Sequence, residues 1–263
     1  MSGSSILELD NVSKHFGGLS VVDNLSFSVP PNSCTGLIGP NGAGKTTVFN
    51  LITGVHPTDA GHIFLDGKDV SDLPSRQRIR HGIARNFQNI RLMPHLTTIE
   101  NVMVGQHCRN DGLFGNLQPL NILPGNRWRK EAREALANAG LEHYEHAAVR
   151  SLPYGVQKRI ELVRALVAQP RLLLLDEPAA GLNSAETGAL SDLLKTRCIA
   201  RGVAMLVVEH DMQFVGELCD RVIVLNFGRK IAEGTPNDVR NDAAVREAYF
   251  GSDDSGMETD HAS

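Results

Sequence analysis

The stretch Gly39-Pro40-Asn41-Gly42-Ala43-Gly44-Lys45-Thr46-Thr47 constrains this chain more than any other. An apolar run, Cys34-Thr35-Gly36-Leu37-Ile38, leads into it, and Val48-Phe49-Asn50-Leu51-Ile52 leads out, stopping at Gly54. Strand, glycine-rich turn and helix form the setting in which the pattern G-x-x-x-x-G-K-[ST] has physical meaning. Glycines at 39, 42 and 44 let the backbone turn sharply and aim several N–H groups at one point. The start of the following helix adds partial positive charge there. Lys45 supplies a full charge for β- and γ-phosphates, and the Thr46 hydroxyl is placed to hold Mg2+. A glycine-rich turn that merely happens to carry a lysine would leave the flanking strand and helix unexplained. The loop announces a nucleotide phosphate and leaves its use open.

A chain of 263 residues accommodates one large domain, or a domain with a subdomain, around a substantial core. Its formal net charge of −4 argues against a dedicated nucleic-acid binder, and no nucleic-acid partner is expected. Cysteines 34, 108, 198 and 219 form no C-x-x-C pair, which fits reduced small hydrophobes rather than a disulfide framework or zinc site. No apolar run approaches the roughly 18–20 residues that span a bilayer. Residues 1–5 lack the charged and apolar parts of a signal peptide. The expectation is a soluble, intracellular chain whose membrane role comes through a partner.

Residues 6–12 and 25–29 read as short strands, with Phe16 between them. After the loop, His62-Ile63-Phe64-Leu65-Asp66-Gly67 reads as a strand ending in a turn, residues 74–80 as a short helix, and 84–88 as a strand. Thr97 and Glu100 have capping-box spacing ahead of a helix to about residue 104. Residues 110–126, rich in Gly, Asn and Pro, predict a long loop, and 127–139 a helix stopped by Gly140. Residues 89–155 lack a convincing strand and are taken as a helical subdomain inserted into an α/β core made of 6–88 and 156–250.

A helix is predicted over 156–168, then the uninterrupted run Leu172-Leu173-Leu174-Leu175 ending in Asp176-Glu177, the pattern of a strand buried on both faces of a parallel sheet. A helix over 185–200 follows, opened by the Asn183 and Glu186 pair, then a buried strand over 203–208 ending in Glu209-His210-Asp211. Repeated strand–helix–strand units point to a parallel sheet with right-handed crossovers. Residues 222–225 and 230–232 predict a terminal hairpin, Thr235-Pro236 a short helix, and 251–263 a disordered acidic tail.

Phosphoryl chemistry needs a cradle, a metal, an aligned water and compensation for developing charge. The loop is the cradle. Asp176, where a buried strand breaks the surface, suits Mg2+ held through water, and Glu177 is placed to orient or polarise the attacking water. His210 ends a neighbouring parallel strand and should emerge beside them, since ligands bind at the carboxyl ends of such strands. Gln88 also ends a predicted strand, where its amide would reach Mg2+ or water.

Taken together these residues resemble an ATP-binding-cassette ATPase over nearly the whole stretch from residue 6 to about 250. GPNGAGKTT matches the family's Walker A and LLLLDE its Walker B. Gln88 falls at the Q-loop glutamine, His210 at the switch histidine, and Phe16 at the aromatic that stacks on adenine. Ala180-Gly181-Leu182-Asn183 resembles the D-loop, and Leu152-Pro153-Tyr154-Gly155 with Val156 stands in place of the LSGGQ signature. Among subfamilies the chain is most similar to the ATPases of branched-chain amino-acid importers, through Phe16-Gly17-Gly18-Leu19, the insertion after Gly105, and residues 176–183.

The resemblance implies a P-loop NTPase (RecA-like) core with an N-terminal antiparallel β subdomain and an inserted α-helical subdomain. It implies ATP and Mg2+, and a head-to-tail dimer, homodimer or heterodimer, with two nucleotides at its interface. Each would touch the phosphate loop of one subunit and the signature of the other. It further implies integral-membrane permease subunits, an extracytoplasmic solute-binding protein, and a peripheral place on the cytoplasmic face of the membrane. ATP binding would close the dimer and hydrolysis reopen it.

The sequence departs from the family at the signature, where Pro153 has neither a hydroxyl nor an N–H and Val156 replaces a glutamine. Two outcomes follow: a tolerated variant, or one impaired site completed by a different subunit. Other uses of the same cassette are lipopolysaccharide export, DNA repair, and uptake of another solute such as urea. Residues 89–155 are too short and too rich in Gly and Pro for the coiled-coil insertion of repair-type members. A P-loop small-molecule kinase would have no need of the signature segment, and a non-catalytic nucleotide-binding module would have no need of Lys45, Asp176, Glu177 and His210.

Overall fold

The computed structural model describes residues 5–86, 90–109 and 127–250. Gln88, the 110–126 insertion and the 251–263 tail therefore lie outside the described residues. Strands β1 (Leu7–Phe16) and β2 (Leu19–Val29) form an antiparallel hairpin. The strand β3 (Cys34–Ile38) enters the phosphate loop, and helix α1 (Lys45–Ile52) leaves it. Strands β4 (Ala60–Leu65) and β5 (Lys68–Asp69) complete a four-stranded antiparallel sheet in the order β2-β1-β4-β5. The first strands are longer than their sequence predicts. Asn11 takes a left-handed conformation (φ 50) and the β1 register shifts around it, which breaks the alternation by which a strand is read.

Helix α2 (Ser75–Arg80) leads to β6 (Ile83–Asn86). The helical part follows as α3 (Thr98–Val104), α4 (Arg127–Asn138) and α5 (Tyr154–Leu166). The Thr97 capping box forms in both directions. Next come β7 (Leu172–Asp176), α6 (Ser184–Arg197), opened by the Asn183 and Glu186 capping box, and β8 (Ala204–Val208). The chain continues through α7 (Met212–Leu218), the hairpin β9 (Arg221–Asn226) and β10 (Arg229–Gly234), then α8 (Pro236–Asn241) and α9 (Ala243–Phe250). The central sheet has the order β10-β9-β3-β8-β7-β6, parallel except for β10.

The Leu172-Leu173-Leu174-Leu175 run is the joint between two cores. Leu172 and Leu174 face the layer between the two sheets, with α1 and the inner side of β1 and β2, while Leu173 and Leu175 face the helices α3, α5, α6 and α7. Strand β8 divides the same way, Leu206 and Val208 on one side, Met205 and Val207 on the other. Each such leucine contributes about 1.5–3 kcal/mol of burial, so β7 and β8 are pinned from both faces. Cys34, Cys198 and Cys219 are buried free thiols.

Candidate functional site

Sheet order brings the site together. β3, β8 and β7 are neighbours, Leu37 pairs with Val208, and Val208 pairs with Asp176. The phosphate loop, Glu209-His210 and Glu177 therefore leave the sheet side by side at its carboxyl edge. A cleft of about 240 Å³ opens there, lined by residues 41–47, Glu177, Val208, His210 and Val21. Val21, on β2, carries no motif and was not readable as a site residue.

The loop needs its glycines for different reasons. A side chain at Gly39 would meet Leu225 O at 2.2 Å, and one at Gly44 would meet Val21 O at 2.7 Å. Gly42 has φ +82 and nothing within 4 Å, so it is required by backbone conformation rather than crowding. Ala43 O accepts from Gly228 N–H at 3.0 Å, tying the loop to the β9–β10 turn. Lys45 is buried, and its ammonium donates to Gly39 O at 2.7 Å and Pro40 O at 3.0 Å. Burial lowers its pKa, while the charges of Glu177 and Asp176 act in the opposite sense.

Glu177 sits in the left-handed region (φ 47), its N–H donating to Val208 O at 2.9 Å. A non-glycine residue held there carries about 1–3 kcal/mol of strain, and the result is a carboxylate aimed at the cleft. His210 Nε2 and Glu177 Oε1 are 3.1 Å apart. Asp176 is 7% exposed and its Oδ2 accepts from Arg85 at 2.7 Å; Arg85 also donates to Asn50 Oδ1 at 2.8 Å. Arg85 lies 91 positions from Asp176, and no spacing rule pairs them.

Thr46, at the exposed start of α1, and Asp176 offer one hydroxyl and one carboxylate. That is a hard-oxygen set suited to Mg2+ shared with phosphate oxygens. Among the described residues no group of three or more His, Cys, Asp or Glu could hold a metal ion.

Gly39, Pro40 and Asp176 border the cleft without lining it, and Phe16 and the signature stretch lie on other elements. Phe16, 43% exposed at the end of β1, has His56 edge-on at 5.3 Å and the Lys14 ammonium 5.6 Å from its ring. Asp59 pins this strand end, accepting from Lys14 Nζ and His15 N–H, both at 2.6 Å. In the signature stretch Pro153 is the N-cap of α5, with helix starting at Tyr154, two residues earlier than predicted. The first turn of α5 keeps its outward N–H groups and dipole. A side chain at Gly155 would come within 2.3 Å of Glu186 Oε1, so the Glu186 side chain would have to shift to admit it. Tyr154 covers Gly181, at 3.2 Å from where a Cβ would stand.

Similarity to known proteins extends over most of the chain. A sequence model described as "ABC transporter" matches residues 22–180. The chain belongs to the ABC transporter ATP-binding family. A second model, "Branched-chain amino acid ATP-binding cassette transporter", matches residues 229–255 of the cassette. The cassette is 40% identical over 254 residues to the high-affinity branched-chain amino acid transport ATP-binding protein LivG of Escherichia coli K12, covering 94% of this chain and 98% of that one. It is 34% identical over 247 residues to the lipopolysaccharide export system ATP-binding protein LptB of Haemophilus influenzae, covering 94% and 98%. The crystal structure of the ADP conformation of MJ1267, an ATP-binding cassette of an ABC transporter, superposes with TM-score 0.83 at 30% identity, covering 94% of this chain and 99% of that one. This ABC cassette is thus a nucleotide-binding ATPase of a transport system.

Proposed function

We propose that this cassette hydrolyses ATP to drive uptake of branched-chain or related amino acids through a partner permease. The observation that carries it is the convergence of the phosphate loop, Asp176, Glu177 and His210 on adjacent strand ends, in a chain similar to LivG over nearly all its length. Lys45 and the loop N–H groups bind phosphate, Glu177 takes a proton from the attacking water, and His210 holds Glu177 and meets charge developing on the γ-phosphate. Thr46 and Asp176, with Gln88, would hold Mg2+, which supplies charge neutralisation when bound. Phe16 offers an exposed ring face for the adenine.

Residues 152–155 do not line the cleft of their own subunit. They are left to serve a second copy or a related subunit, so that each ATP is clamped between two chains. Among the described residues no helix is long and apolar enough to cross a membrane. Attachment to the cytoplasmic face would come through the permease. A groove of about 650 Å³ between α2–β6 and α5, lined by Ile79, Ala84, Arg85 and Arg164 among others, suits a permease helix. An extracytoplasmic binding protein would complete the system.

The test is reconstitution with its permease subunits in vesicles. The expected result is ATP-dependent uptake of leucine, isoleucine or valine that Glu177→Gln abolishes. ATP-driven movement of lipopolysaccharide or urea, with no response to these amino acids, would replace the solute assignment and leave the ATPase assignment standing.

A further inference from the structure

Glu209 stands between β8 and His210, and only 4% of its surface is exposed. The space could be filled by a leucine or methionine. What a carboxylate adds is a pair of acceptors, and here they serve two separate stretches of chain. Oε1 accepts from Ala179 N–H at 2.7 Å, and Oε2 accepts from His210 N–H at 3.0 Å. Burial pushes the carboxyl pKa up, the neighbouring main-chain N–H groups of Ala179, His210 and Asp211 pull it back, and the nearby Glu177 charge adds to the rise. The group is buried at a desolvation cost that main-chain donors offset only in part.

Ala179 belongs to the turn over residues 177–183. The turn is held internally by Ala180 N–H to Glu177 O and Leu182 N–H to Ala179 O, at 3.2 and 3.1 Å. One end of this turn is Glu177, whose carboxylate meets His210. The other end touches the signature stretch through Tyr154 over Gly181, and just beyond it Glu186, in the first turn of α6, lies against Gly155. Glu209 is the side chain that joins the middle of the turn to the main chain of His210. Without it, the turn would be tied to β8 on this side chiefly through Glu177 N–H to Val208 O.

We propose that Glu209 is a positioning residue that locks the turn 177–183 to the His210 main chain, fixing Glu177 against His210 and passing any displacement of residues 152–155 on to that pair. The proposal rests on the assignment of Glu177 and His210 to ATP hydrolysis. Glu209 touches neither nucleotide nor water in this role. It converts two loops into one body, and a misplacement of about 1 Å in such a constellation costs on the order of a hundredfold in rate.

Glu209→Gln keeps the volume but offers one carbonyl and one NH2, so the amine must face one of the N–H donors and one link is lost. In the full chain, the variant is expected to melt as wild type does and to bind ATP within about threefold of wild type, while kcat falls by about tenfold or more. Hydrogen exchange should quicken in residues 178–182 and stay unchanged in β3, β7 and α5. A folded variant with kcat within about twofold of wild type, or one whose ATP affinity falls as far as its kcat, overturns the proposal. Should the glutamine variant not fold, Glu209→Asp, one methylene too short to reach both segments, is read by the same criteria. Glu177→Gln run alongside separates the two assignments. If it hydrolyses ATP normally, the hydrolytic reading fails; if it is inactive and Glu209→Gln is not impaired, only the positioning role fails.

Discussion

Glu177 and Lys45 illustrate opposite kinds of site residue. Glu177 is strained in its backbone, half-open to the cleft and 3.1 Å from His210. Glu177→Gln preserves shape and removes the proposed base, so kcat is expected to fall by about 10²–10⁴-fold with ATP affinity little changed. Phosphate release in single turnover, beside a titration with ATP, checks this; hydrolysis at the wild-type rate would take Glu177 out of the catalytic role. Lys45 is buried and holds the loop from within, bonded to Gly39 O and Pro40 O. Lys45→Ala removes both the proposed counter-charge for phosphate and the donor for two loop carbonyls. Each hydrogen bond to a charged group is worth about 1.5–3 kcal/mol, so nucleotide affinity should fall roughly 10–100-fold. Here the dissociation constant is the measurement, and an unchanged value would assign phosphate binding to the backbone N–H groups alone. Motif spacing exposes both residues because each must occupy a fixed offset from a strand end. Arg85 and Glu209 escape it, since their partners lie far along the chain or in main-chain N–H groups.

Among the elements, α1 depends on a cation outside its own sequence. The guanidinium of Arg78, from α2, donates to Leu51 O at 2.6 Å and Ile52 O at 3.1 Å at the end of α1, and to Ser71 O and Leu73 O, each at 2.7 Å. Burial lowers its pKa, yet the carbonyl end of the helix dipole and four acceptors hold the charge in place. Arg78→Met keeps much of the packing and orphans these carbonyls, for an expected loss on the order of 3 kcal/mol. In urea unfolding the midpoint should drop with slope unchanged; no shift would mean that water replaces the guanidinium. Nothing in the sequence singles out this arginine. What was legible is what local chemistry dictates: the capping pairs at Thr97 and Asn183, the doubly buried leucine run of β7, and the loop before α1. Helix α7 was missed because seven residues carry too little periodicity. Its start is marked only by Asp211, whose Oδ1 accepts from Gln213 and Phe214 N–H. The hairpin β1–β2 was read short because the bulge at Asn11 interrupts its alternation.

At the scale of the whole molecule, the two cores meet on the central sheet, and the candidate site lies at its carboxyl edge. The segment 152–155 does not line the cleft of its own chain, so under the proposed pairing its chemistry is tested only in an assembled pair. Pro153 is where the chain departs from the family pattern, and its geometry argues for tolerance. The residue holds the N-cap position with φ −55, within the range a proline ring imposes. The N–H groups of the first turn of α5 remain for an anion, together with the helix dipole. Pro153→Ser adds a hydroxyl with two separable consequences. As a cap it should stabilise α5 by about 0.5–2 kcal/mol whatever the function, read as a rise in melting temperature. As a phosphate ligand it should raise turnover in the assembled transporter only if the present site is deficient. The expectation is the first effect without the second: greater stability, and kcat within about threefold of the parent. A tenfold rise in turnover, by contrast, would mark the native segment as the weak half of an asymmetric pair. A second, different ATPase subunit would then be needed to supply the stronger signature.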